Sequence, residues 1–269
     1  MSHNLLKGKK GIIFGALNEE SIAWKVAEKA HEEGAEFILT NAPVALRMGQ
    51  LDELAKATGS EVVAADVTSM DDLENLFNIA QEKYGKIDFI LHSIGMSINV
   101  RKKIPYTESN YDYYLKAIDI SAMSFHRVMK IAKERDIMNE WGSILALSFI
   151  AAQMAIPGYN DMSDAKSLLE SIARTFGYYY GIEKKVRINT VSQSPTKTTA
   201  GGGISGFDSL YNFADANSAL GNAPSVDCAN YCITLFSDLT KYVTMQNLFH
   251  DGGFSSTGVT DKVMSFFEK

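Results

Sequence analysis

A chain of 269 residues, 46% hydrophobic and 22% charged, has room and composition for one large α/β domain or two small ones. Its net charge of −6 argues against a general nucleic-acid partner or an anionic membrane surface. Its two cysteines, Cys228 and Cys232, give neither a disulfide framework nor a metal-ligand set, and no stretch reads as a membrane span or a signal-peptide core, so no metal and a reducing cytoplasm are expected.

The predicted elements alternate. Lys10 to Gly15 reads as a short strand ending in glycine, and Ser21 to Ala35 as a helix with Ile22, Val26, Ala27 and Ala30 on one face. Strands are expected at Glu36–Thr40, Glu61–Ala65 and Ile87–His92, with helices at Val44–Thr58 and Met70–Tyr84 between them. A long helical region covers about Glu108 to Glu134, and the apolar run Ser143 to Ser148 reads as a buried strand. Pro157 and Gly158 mark a turn. From Tyr159 the apolar residues Met162, Ala165, Leu169, Ile172 and Phe176 recur at helical spacing. A strand at Val186–Val191, a helix at Ser225–Asp238 and a strand at Val243–His250 complete the chain. This alternation predicts one domain over residues 1–269: a Rossmann-type, doubly wound parallel sheet of about seven strands with helices on both faces. Thr198 to Asn222 breaks the rhythm with five glycines and scattered aromatics, as a mobile lid or substrate wall would rather than a plain surface loop.

Tyr159 and Lys166 carry the chemistry. Their separation amounts to about 700° of helical rotation, which brings the two side chains within roughly 20° of one face, just past a strand end. A phenol of ordinary pKa about 10 is expected to fall beside an ammonium and to donate to a developing oxyanion. An arbitrary pair at this spacing more often packs and solvates, so the rest of the chain decides. The first strand-to-helix turn, Gly15 to Ala23, is not G-x-G-x-x-G, but Gly15 allows close approach. Ser21 is a candidate helix cap, and the helix N-terminus behind it suits a pyrophosphate if Glu19 and Glu20 point away. Thr40-Asn41-Ala42-Pro43 offers neither an acid nor an arginine to an adenosine ribose, which leans towards NAD(H) and leaves NADPH open. Asp66-Val67 and Ser93-Ile94-Gly95 end the third and fourth strands, where a carboxylate meets an adenine amino group and a glycine meets a ribose.

With these pieces in order the chain resembles the short-chain dehydrogenase/reductase superfamily, and within it the bacterial enoyl-acyl-carrier-protein reductases of type II fatty acid synthesis. The resemblance spans nearly the whole chain. It rests on Gly15 with Ser21-Ile22-Ala23, Asp66-Val67, His92 to Gly95, Asp119-Ile120-Ser121, Ala155-Ile156-Pro157 with Tyr159-Asn160, Lys166, Pro195 with Thr198, and Asp251 to Phe254. Ordinary superfamily members carry Tyr-x-x-x-Lys, but position 163 is serine here and the lysine comes seven residues on, as in the enoyl reductases.

The resemblance implies that NADH reduces the trans-2 double bond of an enoyl thioester, the last step of the elongation cycle. Tyr159 would hydrogen-bond the thioester oxygen, and Lys166 would hold the nicotinamide ribose. Gly15, Ser21, Ile22, Asp66, Val67, Ser93, Ile94, Gly95, Pro195, Thr196 and Thr198 would bind the cofactor, and Ser97, Met162, Ile204 and Phe207 would line the acyl channel. An acyl-carrier protein would dock near Arg101, Lys102, Lys103 and Lys197, unless these form only a solvated face, and the assembly would be a homotetramer. Three departures stand out. Phe149 replaces an accessory tyrosine of the catalytic set, Ala42 a ribose-contacting glutamine, and Ser194 a glycine. They leave a ketone or alcohol reductase, or a nucleotide-binding sensor without turnover, as competing readings.

Overall fold

The computed structural model describes residues 2–199, 201 and 206–268. In chain order the strands are β1 (Lys10–Phe14), β2 (Glu36–Asn41), β3 (Glu61–Ala64), β4 (Ile87–His92), β5 (Met138–Ser148), β6 (Arg187–Gln193) and β7 (Asn247–His250). The helices are α1 (Ile22–Glu32), α2 (Pro43–Met48), α3 (Leu51–Thr58), α4 (Met70–Tyr84), α5 (Ile98–Arg101), α6 (Tyr111–Ile118), α7 (Ser124–Glu134), α8 (Asp161–Lys184), α9 (Phe207–Asn217), α10 (Ser225–Phe236) and α11 (Asp261–Ser265).

The strands form one sheet in the order β3-β2-β1-β4-β5-β6-β7, every pair parallel. Because side chains alternate along a strand, each apolar run feeds two cores. Ile12, Phe14, Ile38, Ile90 and Ile144 face α4, α7 and α8 on one side. Ile13, Leu39, Leu91, Leu145 and Val191 face α1, α3 and α10 on the other. Cys228 and Cys232 belong to this second core as free thiols, and the hydrogen bond with Cys232 together with burial pushes the Cys228 thiol up. The chain runs outward from β1 to β3 and then returns to β4, so β1 and β4 flank the point where strand order reverses. Ligands bind at that crevice in open α/β sheets.

The structure corrects the sequence reading at several boundaries. The expected helix 44–58 is two helices. Gly49 is extended between them, and a Cβ there would lie 2.6 Å from the Leu17 carbonyl oxygen, so α2 and α3 separate to let the backbone reach the first turn. The expected helix from Glu108 starts at Tyr111, after the Asn110 side chain accepts from Tyr113 N. It widens into a π-turn at Asp119–Met123 before α7. β5 begins at Met138, five residues early, with a register irregularity against β4. β7 is shorter than expected, because Met245 has positive φ and the strand begins only at Asn247. The glycine-rich stretch after Thr198 holds a regular helix, α9, with Phe207, Ala214 and Ala216 buried.

Candidate active site

The crevice starts with Gly15. Its φ is +93°, and a Cβ there would lie 2.0 Å from the Ser93 carbonyl oxygen, so only glycine lets the β1 and β4 ends approach this closely. Ser93 N donates to Phe14 O at 3.3 Å and Gly15 N to Thr40 O at 3.1 Å. Ser21 occupies the cap position of α1 but its hydroxyl does not cap it. It donates to Asn18 O at 2.6 Å and accepts from Leu17 N at 3.2 Å. Among the described residues, Ile22 N and Ala23 N have no acceptor, so the positive end of α1 opens into the crevice. Glu19 and Glu20 are exposed, and Glu20 accepts from Thr199, which in turn accepts from Asn18.

The other strand ends are equally specific. Asn41 ties the end of β2 to the turn after β1, donating to Ala16 O at 2.9 Å and accepting from Ala42 N at 2.9 Å. One Asp66 carboxylate oxygen accepts from Thr68 N and Thr68 Oγ1, while Val67 beside it is buried. His92 is buried and bonded through Nε2 to Ser124, and burial holds its pKa down to about 3, with the Lys166 charge adding to the effect. Gly95 packs against two later residues: a Cβ there would stand 3.2 Å from Met162 Cε and 3.8 Å from Lys166 Nζ. Ser93 and Ile94 are half-buried on the approach to it.

Lys166 itself is buried on α8, and its Nζ donates to Leu147 O at 2.7 Å. Burial lowers its pKa to about 8, against the opposing pull of Glu170 one turn further on. The buried Glu170 carboxylate accepts from Ser148 Oγ at 2.7 Å and Gln153 Nε2 at 3.1 Å.

Tyr159 lies two residues before α8, not on it, because Asn160 caps the helix with φ +46° and ψ −137°. Its ring packs 5.0 Å from that of Phe149, within an apolar cluster that includes Val100, Met162, Ala214 and Phe254. The expected fall in its pKa is reversed. One Lys166 N–H donates to Leu147 O, and burial alone pushes the phenol up. Tyr159 is therefore a protonated donor in an apolar pocket.

The remaining expected residues divide. Met162 is buried, with its sulfur accepting from Ser121 Oγ at 3.6 Å, and Phe207 is buried beside Gly201. Pro195 is buried, Thr196 Oγ1 donates to Ser194 O, and Thr198 Oγ1 accepts from Gly201 N. Ser194 accepts from Ala223 N at 2.8 Å, a bond the glycine of the resembled family lacks. Ser97 is buried at the start of α5, and its hydroxyl donates to Asp161 at 2.5 Å. Ile204 lies outside the described residues. Reading the sequence did not single out Asp161, Asn99 or Glu170. For Asp161 and Asn99, an asparagine directly before a helical run was the one available signal, marking the cap beside them; Glu170 had none.

The family model described as Enoyl-(Acyl carrier protein) reductase matches residues 15–255, which include every candidate site residue. The chain belongs to the enoyl-acyl-carrier-protein reductase family. Among curated members, the Enoyl-[acyl-carrier-protein] reductase [NADH] 1 of Rhizobium meliloti (strain 1021) is 34% identical over 257 residues, covering 95% of this chain and 93% of that one. Among solved enoyl reductases, the FabI–NADH complex from Alistipes finegoldii is 62% identical with a TM-score of 0.97, over 99% of this chain and 95% of that one. The Bacillus cereus reductase, solved with NADP+ and indole naphthyridinone, is 30% identical with a TM-score of 0.89, over 96% of this chain and all of that one (100%). This enoyl reductase thus shares its seven-stranded frame with relatives of low and high identity alike.

Proposed function

We propose that this chain reduces the trans-2 double bond of enoyl thioesters carried on acyl-carrier protein, with NADH as reductant, and so closes each round of fatty acid elongation. The observation that carries the reading is the buried Tyr159 phenol against Phe149, at a crevice that also holds the Lys166 ammonium.

The residues suit a nicotinamide dinucleotide. Gly15 leaves a cradle that a Cβ would fill, and the free N–H groups of Ile22 and Ala23 suit a pyrophosphate. The second Asp66 oxygen, without a protein partner among the described residues, suits an adenine amino group. Ser93, Ile94 and Gly95 suit a ribose, and Lys166 reaches the same space as Gly95. Pro195, Thr196 and Thr198 border the nicotinamide side. When bound, NADH supplies a hydride to the β-carbon of the enoyl thioester.

The chain's own groups do the rest. As electron density moves onto the thioester oxygen, the Tyr159 O–H donates to it. Burial makes that bond stronger than it would be in water. The raised pKa keeps the proton on Tyr159 in the ground state. Phe149 offers no hydroxyl, so Tyr159 alone supplies the donor, while the Phe149 ring fixes the phenol from one side. Met162, Phe207 and the inner face of α9 form the acyl wall, with the 198–222 segment as part of a single catalytic domain.

A carrier protein meets Arg101, Lys102 and Lys103 at the end of α5, and Lys197, which lies 4.7 Å over the Tyr211 ring. Among the described residues no helix is long and apolar enough to cross a membrane, and we place the enzyme in the cytoplasm as a homotetramer.

The test is NADH oxidation with crotonyl and longer enoyl thioesters. Tyr159→Phe is expected to lower kcat by about 10²–10³-fold. Turnover of acetoacetyl thioester instead of enoyl thioester would replace this reading with a ketone reductase.

A further inference from the structure

Asn160 stands between the proton donor and α8 in a backbone conformation that glycine adopts freely and asparagine only where its surroundings impose it. Its surroundings do so completely. Asn160 Nδ2 donates to Ile104 O at 2.6 Å, while Oδ1 accepts from Asp161 N at 2.6 Å and from Ser109 Oγ at 2.8 Å. The next residue, Asp161, is wholly buried, and among the described residues no ammonium or guanidinium pairs with it. Its carboxylate is held by neutral donors, Ser97 Oγ at 2.5 Å and Asn99 Nδ2 at 2.8 Å. Asn99 in turn joins α5 to the entry of α6, accepting from Asn110 N and donating to Asn110 O, both at 3.1 Å.

A carboxylate buried without a cation is a costly way to fill space, and an apolar side chain would pack there at lower cost. What the carboxylate supplies is direction. The network joins the segment after β4 to the three residues that carry Tyr159, and Val100 from that segment lies in the apolar cluster around the phenol. Among the described residues, none of its hydrogen bonds reaches Gly15, the α1 N-terminus or Lys166.

We propose that Ser97, Asn99, Asn160 and Asp161 are positioning residues for the reduction, a buried polar brace that aims the Tyr159 hydroxyl at the thioester oxygen. The proposal rests on the role given to Tyr159 above. Hydride transfer needs that donor within a narrow geometry, and a displacement of about 1 Å can cost a hundredfold in rate.

Three variants test it beside Tyr159→Phe. Asn160→Gly takes the same backbone conformation without strain but loses the tethers to Ile104 and Ser109. Ser97→Ala removes one carboxylate donor, and Asp161→Asn replaces an acceptor with a mismatched amide. Each is expected to lower kcat for enoyl thioester reduction about ten- to a hundredfold with KM for NADH unchanged, and Ser97→Thr, which keeps the hydroxyl, is expected to restore it. Folded Asn160→Gly and Ser97→Ala proteins with kcat within about twofold of the parent would overturn the proposal. So would a joint loss of kcat, NADH affinity and thermal stability, which marks a structural role alone. If Tyr159→Phe itself keeps full activity, the reading of the site fails. If it collapses while the brace variants do not, only the brace fails.

Discussion

Lys166 carries its charge where burial disfavours it. Its pKa is lowered to about 8, whereas an unfolded lysine keeps its proton to about 10.5. Across that window the unfolded chain binds more protons. The unfavourable contribution of Lys166 to stability is therefore full below pH 8 and shrinks as pH rises through it. Activity runs the other way, because a ribose-holding ammonium is lost over the same window. The kcat/KM profile should fall above about pH 8 without a matching loss of thermal stability. Glu170 is the group that opposes the shift. Glu170→Gln keeps an acceptor for Ser148 and removes the charge, so the alkaline limb is expected to move to lower pH. An unmoved limb would assign Glu170 to packing only. The sequence made the Tyr159–Lys166 pair legible but not its electrostatics. Spacing alone does not reveal that Lys166 would turn to the Leu147 carbonyl and leave burial to set the phenol.

At the scale of elements, β6 and α10 meet through Arg187. This buried guanidinium donates to Leu235 O, Ser237 O, Thr240 O and Thr240 Oγ1, where the last carbonyls of α10 have no helical partner. Arg187→Met fills the volume but strands those acceptors, and is expected to lower unfolding free energy by about 3 kcal/mol in urea titrations. Activity per folded molecule should be unchanged, since Arg187 lies at the far end of β6 from the crevice. Strands were the most legible elements, because a buried parallel strand is a continuous apolar run such as Gly11 to Phe14. Helix ends were less so. The break at Gly49 answers to the Leu17 carbonyl, and the cap at Asn160 to Ile104 and Ser109, contacts distant in the chain that local periodicity does not contain.

For the molecule as a whole, the alternation of strands and helices was sufficient to foresee the doubly wound parallel sheet of seven strands, whose strand order reverses between β1 and β4. The buried brace was invisible because Ser97, Asn99 and Asp161 meet only once β4 and β5 lie side by side. The outer surface carries its own message. Tyr111 and Leu115 on α6 and Tyr178, Tyr179 and Ile182 on α8 are exposed, and a groove beside them is lined by His126, Ile172, Phe176 and Tyr179. Exposed apolar area on two neighbouring helices suits self-association. Sedimentation equilibrium is expected to give a tetramer, and Ile182→Glu with Tyr179→Glu a smaller species. A monomeric parent would remove the assembly from the proposal.

The strand order also bears on how the chain is made. Residues 10–92 supply β3, β2, β1 and β4, a contiguous half-sheet with the strand-order reversal inside it. After β4, each new strand pairs with the one made just before it. The sheet can therefore grow in one direction as the polypeptide leaves the ribosome, its nucleotide-binding half assembled before Tyr159 has been synthesised.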